Sequence, residues 1–449
     1  MKGLISKNVF LSLAGCLLFS YVQAQEIANE PTLALTLDKA LEIALNDNPT
    51  IKIAGQEIKL KKEANKEAYS GLFPEASLSG TYSRTLKKQT MVMDFGGESM
   101  TIKMGSDNSY NGGLSISLPL FAPALYKAIS LTKTDVDLAV EKARSSKLDL
   151  INQVTKAYYQ LLLAQDGYDV LQKSYQQAET NFEMVKAGYE QGKVSEYDKI
   201  RADVQVRGLK PTLLSTSNGV ILAALQLKVL IGVDAGTLVA VEGNLNDYEI
   251  IMFRQELNGD KLDLANNSDL KQLDLNAMLL EKNIKIQQTN FMPTLGMAFN
   301  YAYLSLNNDF KFSDYKWNPY STLGFSLTVP LFKASNFTKL RQTKIQMRQL
   351  TETRINVERQ LNTLATSYKS SMNTGCEQVL SNKEGVFQAE KGREIARKRY
   401  EIGKGTILEL NDSEIALIQA QLAYNQSIFD YLTAKADLDK VLGKESISE

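Results

Sequence analysis

The 449-residue sequence contains no histidine. It has two cysteines, Cys16 and Cys376. Without an imidazole there is no Ser-His-Asp triad, no Cys-His pair and no ordinary zinc site. Catalysis by carboxylates alone survives that exclusion. It would need a cluster of inward carboxylates away from the helix turns described below, and the sequence offers none. The chain is therefore read as no enzyme, with no cofactor. Charge of one sign is also missing, because 51 basic side chains balance 51 acidic ones. Phosphate recognition needs a clustered basic excess, so nucleic acid is excluded as the main partner. Beyond the N-terminus no window of about 20 residues is continuously apolar, so no transmembrane helix is expected. The nearest stretch, Val220 to Val233, is interrupted by Gln226 and Lys228.

What is present begins with an export signal. Lys2 and Lys7 give a positive start, and Val9 to Phe19 is an apolar run. Val22-Gln23-Ala24 has the small residues of a cleavage site. Leu13-Ala14-Gly15-Cys16 fits a lipoprotein processing box instead, which would leave Cys16 as a lipidated first residue. The apolar run continues past Cys16 through Leu17, Leu18 and Phe19, which favours cleavage after Ala24. On either reading the protein leaves the cytoplasm, and Cys376 alone forms no internal disulfide.

The rest is a tandem duplication. SLPLFA at 117–122 recurs as TVPLFK at 328–333, and YEQGK at 189–193 recurs as YEIGK at 400–404. Pro119/Pro330, Gly192/Gly403 and Gly232/Gly443 are each offset by 211. Pro74/Pro293 is offset by 219, so the first copy carries 8 extra residues between Pro74 and Pro119. They fall in a Gly/Ser/Met-rich stretch expected to be a surface loop. The divisions are an export signal at 1–24, a first repeat at 25–232, a connector at 233–262, a second repeat at 263–443 and a tail at 444–449.

Each repeat reads as helix, two strands, very long helix, Gly turn, helix. Residues 52–69 form the first helix, and 76–86 and 110–120 form strands. Leu114, Ile116, Leu118 and Leu120 alternate with Ser115, Ser117 and Pro119, a period of two. Leu295, Met297, Phe299, Tyr301 and Tyr303 do the same in the second repeat, as do Leu323, Phe325, Leu327, Val329 and Leu331. A tilted strand of about 10 residues crosses a bilayer. Lipid tolerates no open sheet edge, and the smallest useful barrels have about eight strands. Four strands must then be pooled with those of other copies. Tyr82, Tyr110, Trp317 and Tyr320 near the strand ends suit an interfacial aromatic belt.

From Ala124 to Lys186 there is no proline and one glycine, Gly167. A helix of that length reaches roughly 90–100 Å. One heptad register is Leu161, Tyr168, Tyr175, Phe182 and Tyr189; the other is Leu150, Ala157, Ala164, Leu171, Ala178 and Val185. Both predict left-handed supercoiling against neighbouring helices. A weaker version in the second repeat includes Leu361, Ala365, Tyr368, Met372 and Val379.

Both long helices end in similar turns, Gly188 to Asp198 and Arg399 to Glu409. Gly192 and Gly403 suit the left-handed conformation that ends a helix. Ser195 with Asp198, and Thr406 with Glu409, have capping-box spacing for the next helix. These turns, the Pro-Leu-Phe after each second strand and the duplicated plan resemble the TolC-like outer membrane efflux protein family over essentially the whole mature chain. The resemblance implies an α+β membrane protein in the outer membrane of a diderm bacterium, extending into the periplasm. Its parts would be four transmembrane β-strands per protomer in a homotrimeric 12-stranded β-barrel, set in outer-membrane lipid, and a long α-helical coiled-coil barrel below. The implied function is the exit duct of a tripartite efflux or type I secretion system, docking a periplasmic adaptor and an inner-membrane transporter. Tyr400, Asp198, Glu409 and Asp412 match the family's gate. The contacts to the adaptor fall on Tyr189, Gly192, Val194, Ser195, Gly403, Gly405 and Thr406. Gly405 departs from the Arg that some members use to brace the gate; Lys404 is the substitute at hand. The alternative is a structural or adhesive envelope protein, a coiled-coil stalk on a small barrel. Met91, Met93, Met100 and Met104 lie in the extra segment of the first repeat. Thioether clusters of this kind bind copper(I); packing at the barrel mouth is the plainer reading.

Overall fold

The computed structural model describes residues 33–95, 98–254 and 262–445. The proposed signal at 1–24 and Cys16 lie outside the described residues. Two copies of one plan follow each other. In the first, α2 (Pro49–Ser70) leads into strands β2 (Glu75–Arg84) and β5 (Asn108–Phe121), then α3 (Pro123–Glu190) and α4 (Glu196–Ile231). In the second, α6 (Ser268–Thr289) leads into β7 (Thr294–Asn307) and β8 (Asn318–Thr328), then α7 (Ala334–Glu401) and α8 (Ile407–Leu442). Strand β1 (Leu33–Leu35) and helix α1 (Leu37–Asp47) precede the first copy.

The long helices α3 and α7 are both 68 residues, and α4 and α8 are both 36. At about 1.5 Å per residue α3 and α7 each span roughly 100 Å. Of the two heptad registers in α3, the alanine-rich one is the buried seam: Leu150, Ala157, Leu171, Ala178 and Val185 are all buried. The aromatic register flanks it, half-buried at Tyr168, Tyr175 and Phe182. Small side chains let neighbouring backbones approach, so the seam closes on alanines.

One clamp, used twice, ties the first helix of each copy to its last. Asn48 Oδ1 accepts from Thr50 N at the start of α2, and Asn48 Nδ2 donates to the Leu230 carbonyl at the end of α4. Asn267 repeats this with Leu270 N and the Val441 carbonyl. Gly232 and Gly443 end α4 and α8 in the left-handed region, at φ 77° and 70°. A Cβ on Gly443 would run into the Asn266 carbonyl, so only glycine fits. The main core surrounds this level, where Leu35, Ala40, Leu161, Leu162, Leu227, Ile231 and Ile428 pack together.

Four antiparallel strands form one sheet in the order β2-β5-β7-β8. Pairing puts Ala76, Ile116, Phe299 and Leu323 in one row. The next row, on the opposite face, is Ser77, Ser115, Asn300 and Thr322, tied by Ser115 Oγ to Asn300 Oδ1 at 2.7 Å. One face is apolar and the other small and polar. The outer strands β2 and β8 are exposed along their whole length. A hydrogen-bonding edge of that kind is not tolerated in lipid.

Three sequence expectations change, and the connector gains detail. The segment expected to be a loop forms a hairpin, β3 (Gln89–Phe95) with β4 (Glu98–Met104), whose register aligns Met93 with Met100. Tyr320 pairs with Ala302 and shares the polar face, where its hydroxyl accepts from Asn111 Nδ2. It lies on the face opposite Leu323, from which it is an odd number of residues away. Tyr82, Tyr110 and Trp317 do group at the strand ends, with Tyr82 stacked on Tyr110 at 4.8 Å. The connector carries structure: β6 (Val239–Val241) pairs in parallel with β1, and α5 (Glu249–Arg254) follows a short 3-10 turn. Finally, α4 is long and apolar enough to cross a membrane by length and composition. Val204, Leu214, Ile221, Leu225 and Val229 lie on a face the protomer leaves open, while Leu227 and Ile231 enter the core and the helix runs along α3.

Candidate functional site at the helix turns

The end of the helices far from the sheet consists of two turns on one template. Gly192 and Gly403 take φ 72° and 71°. Lys193 N donates to the Gly188 carbonyl, and Lys404 N to the Arg399 carbonyl, at 2.9 and 2.8 Å. Ser195 Oγ accepts from Asp198 N at 3.1 Å, and Thr406 Oγ1 from Glu409 N at 3.2 Å. Each hydroxyl satisfies an N–H that the first turn of a helix leaves unpaired. The capping function read from the sequence is therefore present in both turns.

A small core locks the turns together. Val185 from α3, Ala202 from α4, and Ile407 and Leu410 from α8 are buried, with Phe182, Val194 and Tyr400 packed on them. Tyr400 is half-buried. Burial, with the Asp198 carboxylate adding to it, raises its phenol above the usual pKa. The structure thus brings Tyr400 and Asp198 into one neighbourhood across the two repeats. Asp198 Oδ2 accepts a hydrogen bond from its own cap, Ser195 Oγ, at 2.8 Å. Glu409 and Asp412 are exposed on the outside of the first turns of α8. Tyr189 is at the exposed end of α3, with Lys199 Nζ 4.7 Å from its ring centre.

The turns differ at one complementary pair of positions. In the first turn Val194 fills the space beside Gly188, where a Cβ would lie 2.7 Å from Val194 Cγ2. In the second, the equivalent pair is Arg399 and Gly405, and a Cβ on Gly405 would lie 3.1 Å from Arg399 Cβ. Small and large have exchanged sides. A long side chain at 405 would press on Arg399, which explains the glycine there. The guanidinium arrives from the helix instead. Arg399 Nη2 donates to the Lys404 carbonyl at 3.3 Å and lies 3.7 Å from Glu409 Oε2. Arg399, and not Lys404, is the basic side chain that braces this turn.

Sequence reading missed Glu414. It lies two turns into α8, 9% exposed, with Oε1 enclosed and without a hydrogen-bond partner among the described residues. Its nearest basic contact is Arg393, 3.9 Å from Oε2. Burial raises its carboxyl above the ordinary range against the pull of Arg393 and Arg397. The signal was in the spacing: Ile407, Leu410, Glu414 and Leu417 follow the helical stripe that faces the core.

The Outer membrane efflux protein family model matches residues 40–233 and 261–444. The chain is 23% identical to the probable efflux pump outer membrane protein TtgC of Pseudomonas putida, covering 91% of this chain and 82% of that protein. It is 22% identical to the alkaline protease secretion protein AprF of Pseudomonas aeruginosa, covering 92% and 85%. The open-state MtrE outer membrane channel of Neisseria gonorrhoeae superposes with a TM-score of 0.72 at 17% identity, covering 91% of this chain and 88% of that one.

Proposed function

We propose, from the premise that the chain belongs to the outer membrane efflux protein family, that three copies join their sheets into one twelve-stranded barrel and their helices into one tunnel beneath it. Membership puts the chain in the outer membrane, reaching into the periplasm, among channels and not among enzymes. The observation that carries the proposal is the four-strand sheet, whose two edges are unpaired among the described residues, joined directly to helices of roughly 100 Å. Copies of the same sheet remove the edges, and the helices then enclose a passage.

The passage serves as the exit duct of a tripartite efflux or type I secretion system. A periplasmic adaptor docks on the turns through Tyr189, Gly192, Val194, Ser195, Gly403, Gly405 and Thr406, and an inner-membrane transporter supplies the cargo. Tyr400 and Asp198 hold the mouth closed, and Glu409 and Asp412 ring it with negative charge. The divisions at 25–232, 233–262 and 263–443 and the signal at 1–24 belong to the same reading. TtgC is named for an efflux pump and AprF for protease secretion, at nearly equal identity to this chain. That supports a duct whose cargo is chosen by its pump.

Purified protein inserted in planar bilayers is expected to give discrete conductance steps, and an adhesive stalk would give none. In the same apparatus, Glu409→Gln with Asp412→Asn is expected to abolish block by divalent cations applied from the periplasmic side. Block of undiminished strength would sink the acidic ring while leaving the duct intact.

A further inference from the structure

The open edges of the sheet have a counterpart inside the chain. Strand β5 of the first copy pairs with β7 of the second, and below them α6 packs along α3. That internal joint sets the last strand and long helix of one copy against the first helix and strand of the next. At the outer edges the same parts lie open, β8 with α7 on one side and β2 with α2 on the other. Helices α2 and α6 are both 22 residues, offset by 219, and α3 and α7 are both 68, offset by 211. The extra residues of the first copy lie between β2 and β5, outside these elements. The internal joint therefore maps onto the outer edges position by position. Leu114–Tyr301, Ile116–Phe299 and Ser117–Ala298 become Phe325–Tyr82, Leu327–Gly80 and Thr328–Ser79. The mapped strands are antiparallel and keep their faces. Gly80 and Tyr82 alternate into the row of Ala76, and Phe325 and Leu327 into that of Leu323, which is the apolar face. Ser79 and Thr328 share the small polar face. A slip of one residue would set apolar against polar.

The helix contact maps onto opposite charges. Inside the chain, Lys282 of α6 donates to the Ser130 carbonyl of α3 at 2.7 Å and to Thr134 Oγ1. The equivalents of Lys282, Ser130 and Thr134 at the outer edges are Glu63, Arg341 and Ile345. Arg341, Lys344 and Arg348 follow one another on the open face of α7 at i, i+3 and i+7, and make no ion pair among the described residues. Like charges at that spacing oppose one another. Glu63 and Glu67 are exposed one turn apart on α2. The bond from Glu63 to Lys66 of its own helix lies in water, where such a pair contributes little. Leu60 and Ile345, 61% and 54% exposed, continue the two faces away from the sheet. We propose that a second copy seats its β2 edge and α2 on β8 and α7 in the register already used between β5–α3 and β7–α6, and that Glu63 of one copy pairs with Arg341 of the next. This joint rests on the three-copy reading and fixes its register.

Paired cysteines read the register, in a chain carrying Cys376→Ser. Ser79→Cys with Thr328→Cys sets two thiols directly opposite each other, where Cα atoms stand about 4.5–5.5 Å apart, within reach of a disulfide. Oxidation in outer-membrane vesicles is expected to give covalent trimers on a denaturing gel. Ser77→Cys with Thr328→Cys is displaced by two residues and is expected to give monomers. The ion pair is tested by charge reversal. Glu63→Arg and Arg341→Glu are each expected to shorten the lifetime of the detergent-solubilised trimer severalfold, and the double variant to recover most of the loss. A loss without recovery overturns the pair. If a single variant fails to assemble, assembly of the double variant still decides. A parent chain that stays monomeric overturns the ring together with its register. A trimer that forms without linking positions 79 and 328 overturns the register alone and leaves the duct standing.

Discussion

The two long helical hairpins have the same backbone and opposite burial. Helices α3 and α7 are equally long, yet α3 buries 20 residues and α7 buries 7. For the shorter partners the order reverses, with 5 buried in α4 and 15 in α8. The protomer is thus built around an inner pair, α3 and α8, one from each repeat. The outer pair keeps apolar side chains in the open, among them Val204, Leu214 and Val229 on α4 and Ile345, Leu380 and Phe387 on α7. Duplication preserved the register of 211 and the turns, while burial was redistributed between the copies. An apolar face that a chain does not cover itself is a face for a partner, and two such faces on opposite sides of the protomer suit a closed ring.

The strongest way to break this comparison is to truncate equivalent positions. Leu162 is fully buried, and its counterpart 211 residues later, Asn373, is exposed. Leu162→Ala is expected to cost about 2–5 kcal/mol of unfolding free energy, from lost burial plus the cavity left behind. Asn373→Ala should stay within about 0.5 kcal/mol. Chemical unfolding in detergent measures both. Equal costs would mean that the inner and outer helices are energetically alike.

The next contrast uses glycines with the same backbone angle and different surroundings. A methyl added to Gly403 meets nothing within 4 Å, whereas one added to Gly443 collides with the Asn266 carbonyl. Gly403→Ala should lose only the left-handed penalty, about 1–2 kcal/mol. Gly443→Ala adds a backbone clash of about 1–3 kcal/mol, which must open the clamp at Asn267. Thermal midpoints of the two variants give the order, and a reversal would show that the tip is more tightly constrained than the clamp.

Much of the fold was legible because its signals are local and repeated. Strand alternation, proline-free helices and the turn glycines recur at one offset, and each recurrence supports the other. The β3–β4 hairpin was missed although Met91 and Met93 alternate in one strand and Met100, Ile102 and Met104 in the other. The segment has no counterpart in the second repeat, so comparison of the copies marked it as a loop. Tyr320 was misplaced because closeness to a strand end was weighed above parity with Leu323. The burial asymmetry was written in Ile151 against Asn362 and Leu162 against Asn373, but the search for similarity between copies passes over such differences. At the turns, the caps and glycines were readable from spacing. The exchange of Gly188 and Val194 for Arg399 and Gly405 depends on which side chains face each other across the turn, which spacing alone does not give.

The finest contrast is between two carboxylates at one repeat position. Asp203 is on the surface of α4, where Arg207 Nε lies 2.8 Å from its Oδ2. Glu414, its equivalent on α8, is buried with one oxygen unpartnered among the described residues. A carboxyl whose pKa is raised on folding weighs against the folded state only where it is ionised. The penalty is complete above the folded-state pKa, shrinks as pH falls through it and vanishes below the unfolded value. Glu414→Gln should therefore stabilise the protein near neutral pH, by about 1 kcal/mol on the scale of an unsatisfied buried group. The gain should disappear as the solution is brought down through the carboxylate range. Asp203→Asn removes a solvated pair of the kind that contributes little, and should leave stability nearly flat at every pH. Unfolding midpoints of the two variants between acid and neutral pH test the pair. A Glu414→Gln gain that persists in acid would mean that shape, and not charge, sets the cost at the inner helix.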